Sequence, residues 1–218
     1  MRKEYPRPHF KRHNWVSLDG EWNFVFDDEN QGLQNEFYKD FPESETIRVP
    51  YAYETELSGI NNKEKHNIVW YNRTFKSNSN DSTLLLHFGA VDYMTDVYIN
   101  GQHIGSHQGG NTSFSFNVTK YLSKDSTNEV TVRVFDDMEE KNIPRGKQYW
   151  KVKPESIYYT KTTGIWQTVW LEEVPTTYIK ECFITPDIDK NEVRFEINLS
   201  NDIEQDIMIR TTSLDDNM

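Results

Sequence analysis

The sequence predicts an all-β protein of sandwich type, and three observations predict it. Short runs of β-branched and aromatic residues recur along the chain, each bounded by turn residues. Several alternate polar and apolar positions with a period of two, which puts one face of a strand on a core. Convincing helix signals are scarce. Many short strands separated by turn chemistry are the pattern of a sandwich.

Gly20–Phe26 (GEWNFVF) sets Trp22, Phe24 and Phe26 against Glu21, Asn23 and Val25. Ile68–Phe75 (IVWYNRTF) is rich in aromatic and β-branched residues. Thr83–Val91 (TLLLHFGAV) is nearly continuously apolar and suits a strand buried on both faces. Asp96–Gly105 carries Asn100-Gly101 between two short strands, and that pair favours the positive φ of a tight hairpin turn. Asn128–Asp136 places Val130, Val132 and Val134 on one face. Thr162–Val174 (TTGIWQTVWLEEV) reads as one strand, with Trp166, Thr168 and Trp170 on one side and Ile165, Gln167, Val169 and Leu171 on the other. Both faces are largely apolar, so the two tryptophans are expected to pack rather than to stack on a sugar.

Two longer stretches, Tyr51–Asn67 and Asp136–Lys161, read as loops. The second holds Arg145, Lys147, Gln148, Tyr149, Trp150, Tyr158 and Tyr159. That aromatic density fits poorly with disorder and implies an ordered loop that lines something. A domain boundary is expected at Val174-Pro175, giving domains 1–174 and 175–218. Three strand-like runs follow it. In the middle one Val193, Phe195, Ile197 and Leu199 alternate with Glu192, Arg194, Glu196 and Asn198. So short a segment buries too little surface to stand alone. It is expected to be the start of a second β-domain, mobile or covered by another chain at its open edge.

Composition narrows the functions. The 218 residues carry a net charge of −11, which disfavours duplex nucleic acid and an anionic membrane surface and leaves a neutral polar substrate open. The lone Cys182 supports neither a disulfide framework nor a cysteine-based zinc site. No stretch approaches the ~20 apolar residues of a membrane span. The first residues have no apolar run, so no secretory signal is expected and the chain reads as cytoplasmic. The Asn-X-Ser/Thr triplets at Asn72 and Asn117 then carry no meaning for glycosylation.

The motif search is mostly negative. Asp187–Glu192 faintly suggests a calcium loop, but the sixth position is Glu192 rather than Gly and the twelfth is Asn198 rather than Glu. His103 and His107 lack an evident third ligand, so no metal site is expected. No phosphate loop, dinucleotide fingerprint or nucleophile elbow is present, and no cofactor is expected. None of the 35 acidic residues stands in a context that marks a catalytic carboxyl pair.

Six segments, in order, resemble the N-terminal region of family 2 glycoside hydrolases, the β-galactosidase and β-glucuronidase group. They are Leu18–Phe24, Arg48–Glu54, Trp70–Phe75, Val97–Leu122, Asn128–Asp136 and Gly164–Glu172. The resemblance implies a jelly-roll sandwich, the sugar-binding domain, followed by an immunoglobulin-like sandwich of which residues 175–218 are the first strands. It further implies a (β/α)₈ barrel that carries the two catalytic glutamates. That barrel lies outside these 218 residues, so no catalytic residue is expected here. The resemblance puts a sugar-touching aspartate of some β-galactosidases near Tyr158, where this chain has none. Loop Pro144–Trp150 offers a substitute. Arg145, Lys147 and Gln148 would donate hydrogen bonds to sugar hydroxyls, and Trp150 or Tyr159 would stack on a pyranose face. The expected partners are a β-glycoside, the chain's own barrel and a further copy of the chain, with no nucleic acid and no membrane. Two rival readings are an autonomous carbohydrate-binding module and a structural or oligomerisation domain without sugar contact.

Overall fold

The structure is a computed structural model that describes residues 4–7, 10–77, 82–123, 127–137, 139–151, 153–202, 208 and 210. Fourteen strands are present among them: β1 (Trp15–Ser17), β2 (Gly20–Phe26), β3 (Glu45–Val49), β4 (Ile68–Lys76), β5 (Thr83–Phe88), β6 (Val91–Asp92), β7 (Met94–Ile99), β8 (Gln102–Gln108), β9 (Phe114–Asn117), β10 (Thr127–Phe135), β11 (Gly164–Ile165), β12 (Val169–Val174), β13 (Ile179–Asp187) and β14 (Glu192–Leu199). The chain divides into two compact units, Met1–Val174 and Pro175–Met218.

The first unit is the jelly-roll sandwich that the sequence predicts. A six-stranded sheet of order β3-β2-β4-β10-β7-β8 and a four-stranded sheet of order β1-β12-β5-β9 bury their inner faces in one core. The period-two pattern explains which residues fill it. Trp22 and Phe24 of β2, Val69 and Tyr71 of β4, and Val130, Val132 and Val134 of β10 meet Leu84, Leu86 and Phe88 of β5 and Val169 and Leu171 of β12. The Trp22 indole N–H, deep in this core, donates to the Leu18 carbonyl at 2.8 Å, so burial leaves no orphan donor. The β7–β8 hairpin turns on Asn100 (φ 49°) and Gly101 (φ 75°), the left-handed pair that matches strand twist.

A second cluster lies on the other face of the six-stranded sheet. Ile68, Trp70 and Tyr98 are covered by Phe37, Tyr38 and Phe41 from the β2–β3 connection. Asp27 pins that connection. Its carboxylate accepts from the Gln31 and Gly32 amides and from the Trp70 indole at 2.8–3.0 Å.

Two predicted strands are broken rather than continuous. Thr83–Val91 splits into β5 and β6, and Thr162–Val174 splits into β11 and β12. The breaks face each other. The Gly89 amide donates to the Thr168 carbonyl at 2.9 Å and the Trp166 amide to the Ala90 carbonyl at 3.3 Å. Both strands thus leave the four-stranded sheet together and re-pair as the small β11–β6 sheet. A side chain at Gly89 would come within 2.8 Å of Gln167 Cβ, so this close approach needs glycine. The faces fall as the alternation requires. Ile165, Val169 and Leu171 enter the main core, while Trp170 is buried on the opposite face and Trp166 is half-buried.

Trp170 belongs to a buried polar latch. Its ring stacks on His87, with centroids 4.8 Å apart, and its indole donates to Glu172 at 3.0 Å. The fully buried Glu172 carboxylate also accepts from the Tyr5 hydroxyl, with His87 at 3.2 Å and Arg12 at 3.6 Å. Burial opposes its ionisation, but the contacts from His87, Trp170 and Tyr5 outweigh burial and hold the carboxyl at about 2. The latch ties the segment before β1 to the four-stranded sheet.

The second unit pairs β13 with β14 as an antiparallel ribbon. Cross-strand neighbours Cys182 and Ile197, Ile184 and Phe195, and Pro186 and Val193 give it one apolar face. Ile184, Val193 and Phe195 on that face are exposed. Of the third run predicted here, Gln205–Ser213, only Met208 and Arg210 are described.

The latch makes a stability prediction. Glu172→Ala leaves the Tyr5 hydroxyl and the buried Trp170 indole without their shared acceptor, and a loss of about 1–3 kcal/mol is expected in chemical denaturation. Because the folded carboxyl sits below its ordinary value, its contribution is complete above about pH 4.5 and disappears as pH falls toward about 2. An alanine variant as stable as the parent at pH 7 would refute the latch.

Candidate functional site

The described residues of the long segment between β10 and β11 form a loop that returns on itself. Its two arms are joined where Gln148 and Tyr159 form a parallel bridge. The Tyr149 amide donates to the Tyr159 carbonyl at 2.8 Å, and the Tyr159 amide to the Lys147 carbonyl at 3.1 Å. Gln148 itself points inward and is buried. Its amide N–H donates to Asp92 Oδ2 at 2.7 Å, and its Oε1 accepts the Thr162 amide at 2.7 Å. Gln148 thereby roots the loop on the sandwich.

The remaining sequence-predicted residues divide around that root. Tyr149 is buried, stacks on Tyr158 with centroids 5.2 Å apart and donates its hydroxyl to Glu155 at 2.9 Å. Trp150 lies beside it at 4.6 Å but is 51 % exposed, and Tyr159 is 53 % exposed. The Arg145 guanidinium sits 5.7 Å over the Trp150 ring, a cation–π contact. Lys147 is exposed on the arm that bridges Tyr159. The structure therefore brings Arg145 and Trp150 together, presents Lys147 and Tyr159 on the joined arms, and commits Gln148 to holding the loop.

Beneath the root lies a group of acids that sequence reading does not single out. Glu54, from the loop before β4, Asp92, at the end of β6, and Asp136, just past β10, are all buried. Thr163 joins two of them, donating its hydroxyl to Asp136 at 2.8 Å and its amide to Glu54 at 3.4 Å. Burial pushes Glu54 up to about 8 against the pull of backbone hydrogen bonds and Lys161. Burial, then the charge of Asp92, pushes Asp136 up to about 7. Asp92 is also raised by burial, with the Gln148 amide opposing. Lys161 is lowered by burial, with Glu54 and Asp136 opposing. The Gly109-Gly110 turn closes over Asp92 so tightly that a Cβ at Gly110 would overlap its carboxylate, and the Trp166 indole donates to the Gly110 carbonyl at 2.7 Å. The only sequence signal for these residues was an acid inside or at the end of a run of buried apolar residues, such as Asp92 in AVDYM.

His103 and His107 do not converge on a common ligand position. His103 packs edge-on to Tyr98 near Asp96, while His107 stacks on Phe114 and contacts Thr112. Among the described residues no group of three or more His, Cys, Asp or Glu side chains is arranged to hold a metal ion. Among the described residues no helix is long and apolar enough to cross a membrane.

Residues 15–175 match the family model described as glycosyl hydrolases family 2, sugar binding domain. The chain belongs to this family. Family 2 relatives include a β-galactosidase of Thermoanaerobacter pseudethanolicus, 29 % identical over 180 residues, which covers 79 % of this chain and 22 % of that protein. The β-glucuronidase of Rattus norvegicus is 25 % identical over 200 residues, 80 % of this chain and 31 % of that protein. The chain thus spans between about a fifth and a third of these relatives' length. Among solved structures, a Ruminococcus gnavus β-glucuronidase superposes with a TM-score of 0.72 at 18 % identity over 91 % of this chain and 35 % of that one, a likeness of fold.

Two outcomes are expected of this site. Gln148→Leu removes the buried partner of Asp92 and should cost about 1–3 kcal/mol. The Tyr149 and Tyr159 amides should then exchange with solvent faster than those of β10; unchanged exchange at both would show that Gln148 does not root the loop. The second concerns pH. Asp136 and Glu54 hold their protons more tightly folded than unfolded. The resulting stability is complete below about pH 4 and fades as pH rises through about 7 and then about 8. The melting temperature should fall between pH 5 and pH 9, as roughly placed by those values, and Glu54→Gln should flatten the upper part of the fall. A profile that the substitution leaves unaltered would contradict the assignment.

Proposed function

We propose that the chain is the non-catalytic N-terminal part of a retaining glycoside hydrolase acting on terminal β-glycosides, in the manner of a β-galactosidase. Its jelly roll helps to shape the sugar pocket of a barrel that follows. Family membership and its β-galactosidase and β-glucuronidase relatives support this reading. The observation that carries it is the rooted loop, which holds the exposed Trp150 face beside the Arg145 guanidinium and the exposed Tyr159 and Lys147 on its joined arms. An aromatic face next to hydrogen-bond donors is what a pyranose ring and its hydroxyls require. Gln148 takes part by fixing the loop from below.

In this reading the chain supplies no acid/base or nucleophilic carboxyl. Glu54, Asp92 and Asp136 are buried beneath the loop, with Gln148 hydrogen-bonded to Asp92 and the Thr163 hydroxyl to Asp136. The unit Pro175–Met218 is the beginning of an immunoglobulin-like sandwich, a reading supported by the one-sided apolar ribbon of β13 and β14. The ribbon's open edges are where further strands, or a second copy of the chain, would pair.

In the longer enzyme, Arg145→Ala and Trp150→Ala should each raise KM for an aryl β-glycoside by roughly tenfold, with a smaller change in kcat. Unchanged KM and kcat for both variants would exclude the loop from the sugar pocket.

A further inference from the structure

The outer face of the six-stranded sheet has two unlike halves. Toward one end it is apolar and covered, with Ile68, Trp70 and Tyr98 under Phe37, Tyr38 and Phe41. Toward the other end the same strands turn polar. On β4 the outward positions after Trp70 are Asn72 and Thr74, because Val69 and Tyr71 enter the core. On β2 they are Glu21 and Asn23, because Trp22 and Phe24 enter it. These four residues, with Thr46 of β3 and Arg73, line an open trough of about 590 Å³.

The floor of the trough is a fixed row. Thr46, Asn23, Asn72 and Thr131 are register partners across β3, β2, β4 and β10. Asn23 Nδ2 donates to Asn72 Oδ1 at 3.2 Å, and Asn72 Nδ2 donates to the Thr131 hydroxyl at 3.0 Å. Asn72 and Thr131 are buried, whereas Glu21, Asn23, Thr46 and Thr74 are exposed. At a strand spacing of about 4.8 Å the row runs roughly 14 Å across the sheet, farther than one pyranose ring reaches. The lining also limits what can bind. Glu21 is its one acid and Arg73 its one base, and Arg73 Nη1 is committed to the Leu18 and Asp19 carbonyls at 2.6 and 3.1 Å. A nucleic acid or an anionic glycan would need free cations, and a docked helix would need apolar anchors. The trough offers neither.

We propose that this trough is a second carbohydrate site, which holds a neutral oligosaccharide chain laid across β3, β2 and β4. Amides and hydroxyls held in a row both donate and accept, as a chain of uncharged sugars requires. The volume falls within the range of about 300–1,000 Å³ usual for ligand sites. The inference goes beyond the reading of the β10–β11 loop and does not rest on it. That loop departs past Phe135, the register partner of Ile68. Thr74 lies further along β4, roughly 20 Å from Ile68. The trough therefore grips a glycan at the far end of the sheet from the loop.

Calorimetric titration of the 218-residue chain tests the proposal. The probes are β-linked hexasaccharides of galactose, mannose and glucose, each with its own disaccharide. At least one hexasaccharide should bind saturably, tighter than its disaccharide, and equally well at low salt and at about 0.2 M salt, since no ion pair forms. The combined variant Asn23→Ala, Thr46→Val and Thr74→Val removes three exposed polar groups and keeps both β-branched positions. It should weaken that binding about tenfold or more while keeping its melting temperature. Thr74→Val alone should weaken it in the same direction. A triple variant that binds as the parent does would overturn the proposal. Loss of binding in Arg145→Ala with Trp150→Ala, and none in the triple variant, would place the glycan on the loop, overturning this site and leaving the proposed function standing. Absence of saturable binding by every hexasaccharide would overturn the site without touching the loop, whose test is kinetic. A parent chain that dimerises with rising concentration, beside a triple variant that stays monomeric, would make the trough a contact between copies and overturn it as well.

Discussion

The architecture at the rim beneath the β10–β11 loop depends on two strands bending together. Where β5 passes to β6 and β12 to β11, hydrogen bonds between Gly89 and Thr168 and between Ala90 and Trp166 carry the pairing across the bend. A single strand could not leave a sheet this way without stranding its backbone groups in the core. Two strands bending in register satisfy one another. The bend delivers Asp92 and Thr163 to the rim of the sandwich, and from there the loop root, the acid cluster and the glycine turn are assembled.

Those acids show how the rim is held without fixed charge. Three carboxyls lie close under the loop, and full ionisation of all of them in so dry a place would be costly. Protonation relieves it. Glu54 and Asp136 are pushed to values where a proton is kept near neutrality. Thr163 and Gln148 supply hydrogen bonds to the cluster, and Lys161 offsets the charge that remains.

The main sheets were legible because their signals are local. Alternation identified β2, β10 and β14, and Asn100-Gly101 located the hairpin between β7 and β8. Strands β1, β3 and β9 carried too few residues to establish a period. The bend in Thr162–Val174 was hidden because the side-chain alternation survives it, leaving Gly89 on the partner strand as its trace. At the site, the exposed aromatics and cations of Pro144–Trp150 could be picked out by composition, whereas the inward turn of Gln148 could not. It depends on Asp92, 56 positions away. Glu54 meets Thr163 across 109 positions and Tyr5 meets Glu172 across 167. Pairings of that range leave no pattern in any window of the chain.

The last of these pairings bears on where this domain can be cut. The family match begins at residue 15, with β1, and an expression boundary drawn there would look clean. Tyr5 and Arg12 lie before it, and both reach Glu172, an ionised side chain with no exposure to solvent. A clone starting at Trp15 would thus be missing part of its own interior. The interior of the domain draws on a residue some ten positions upstream of its recognisable start, Tyr5.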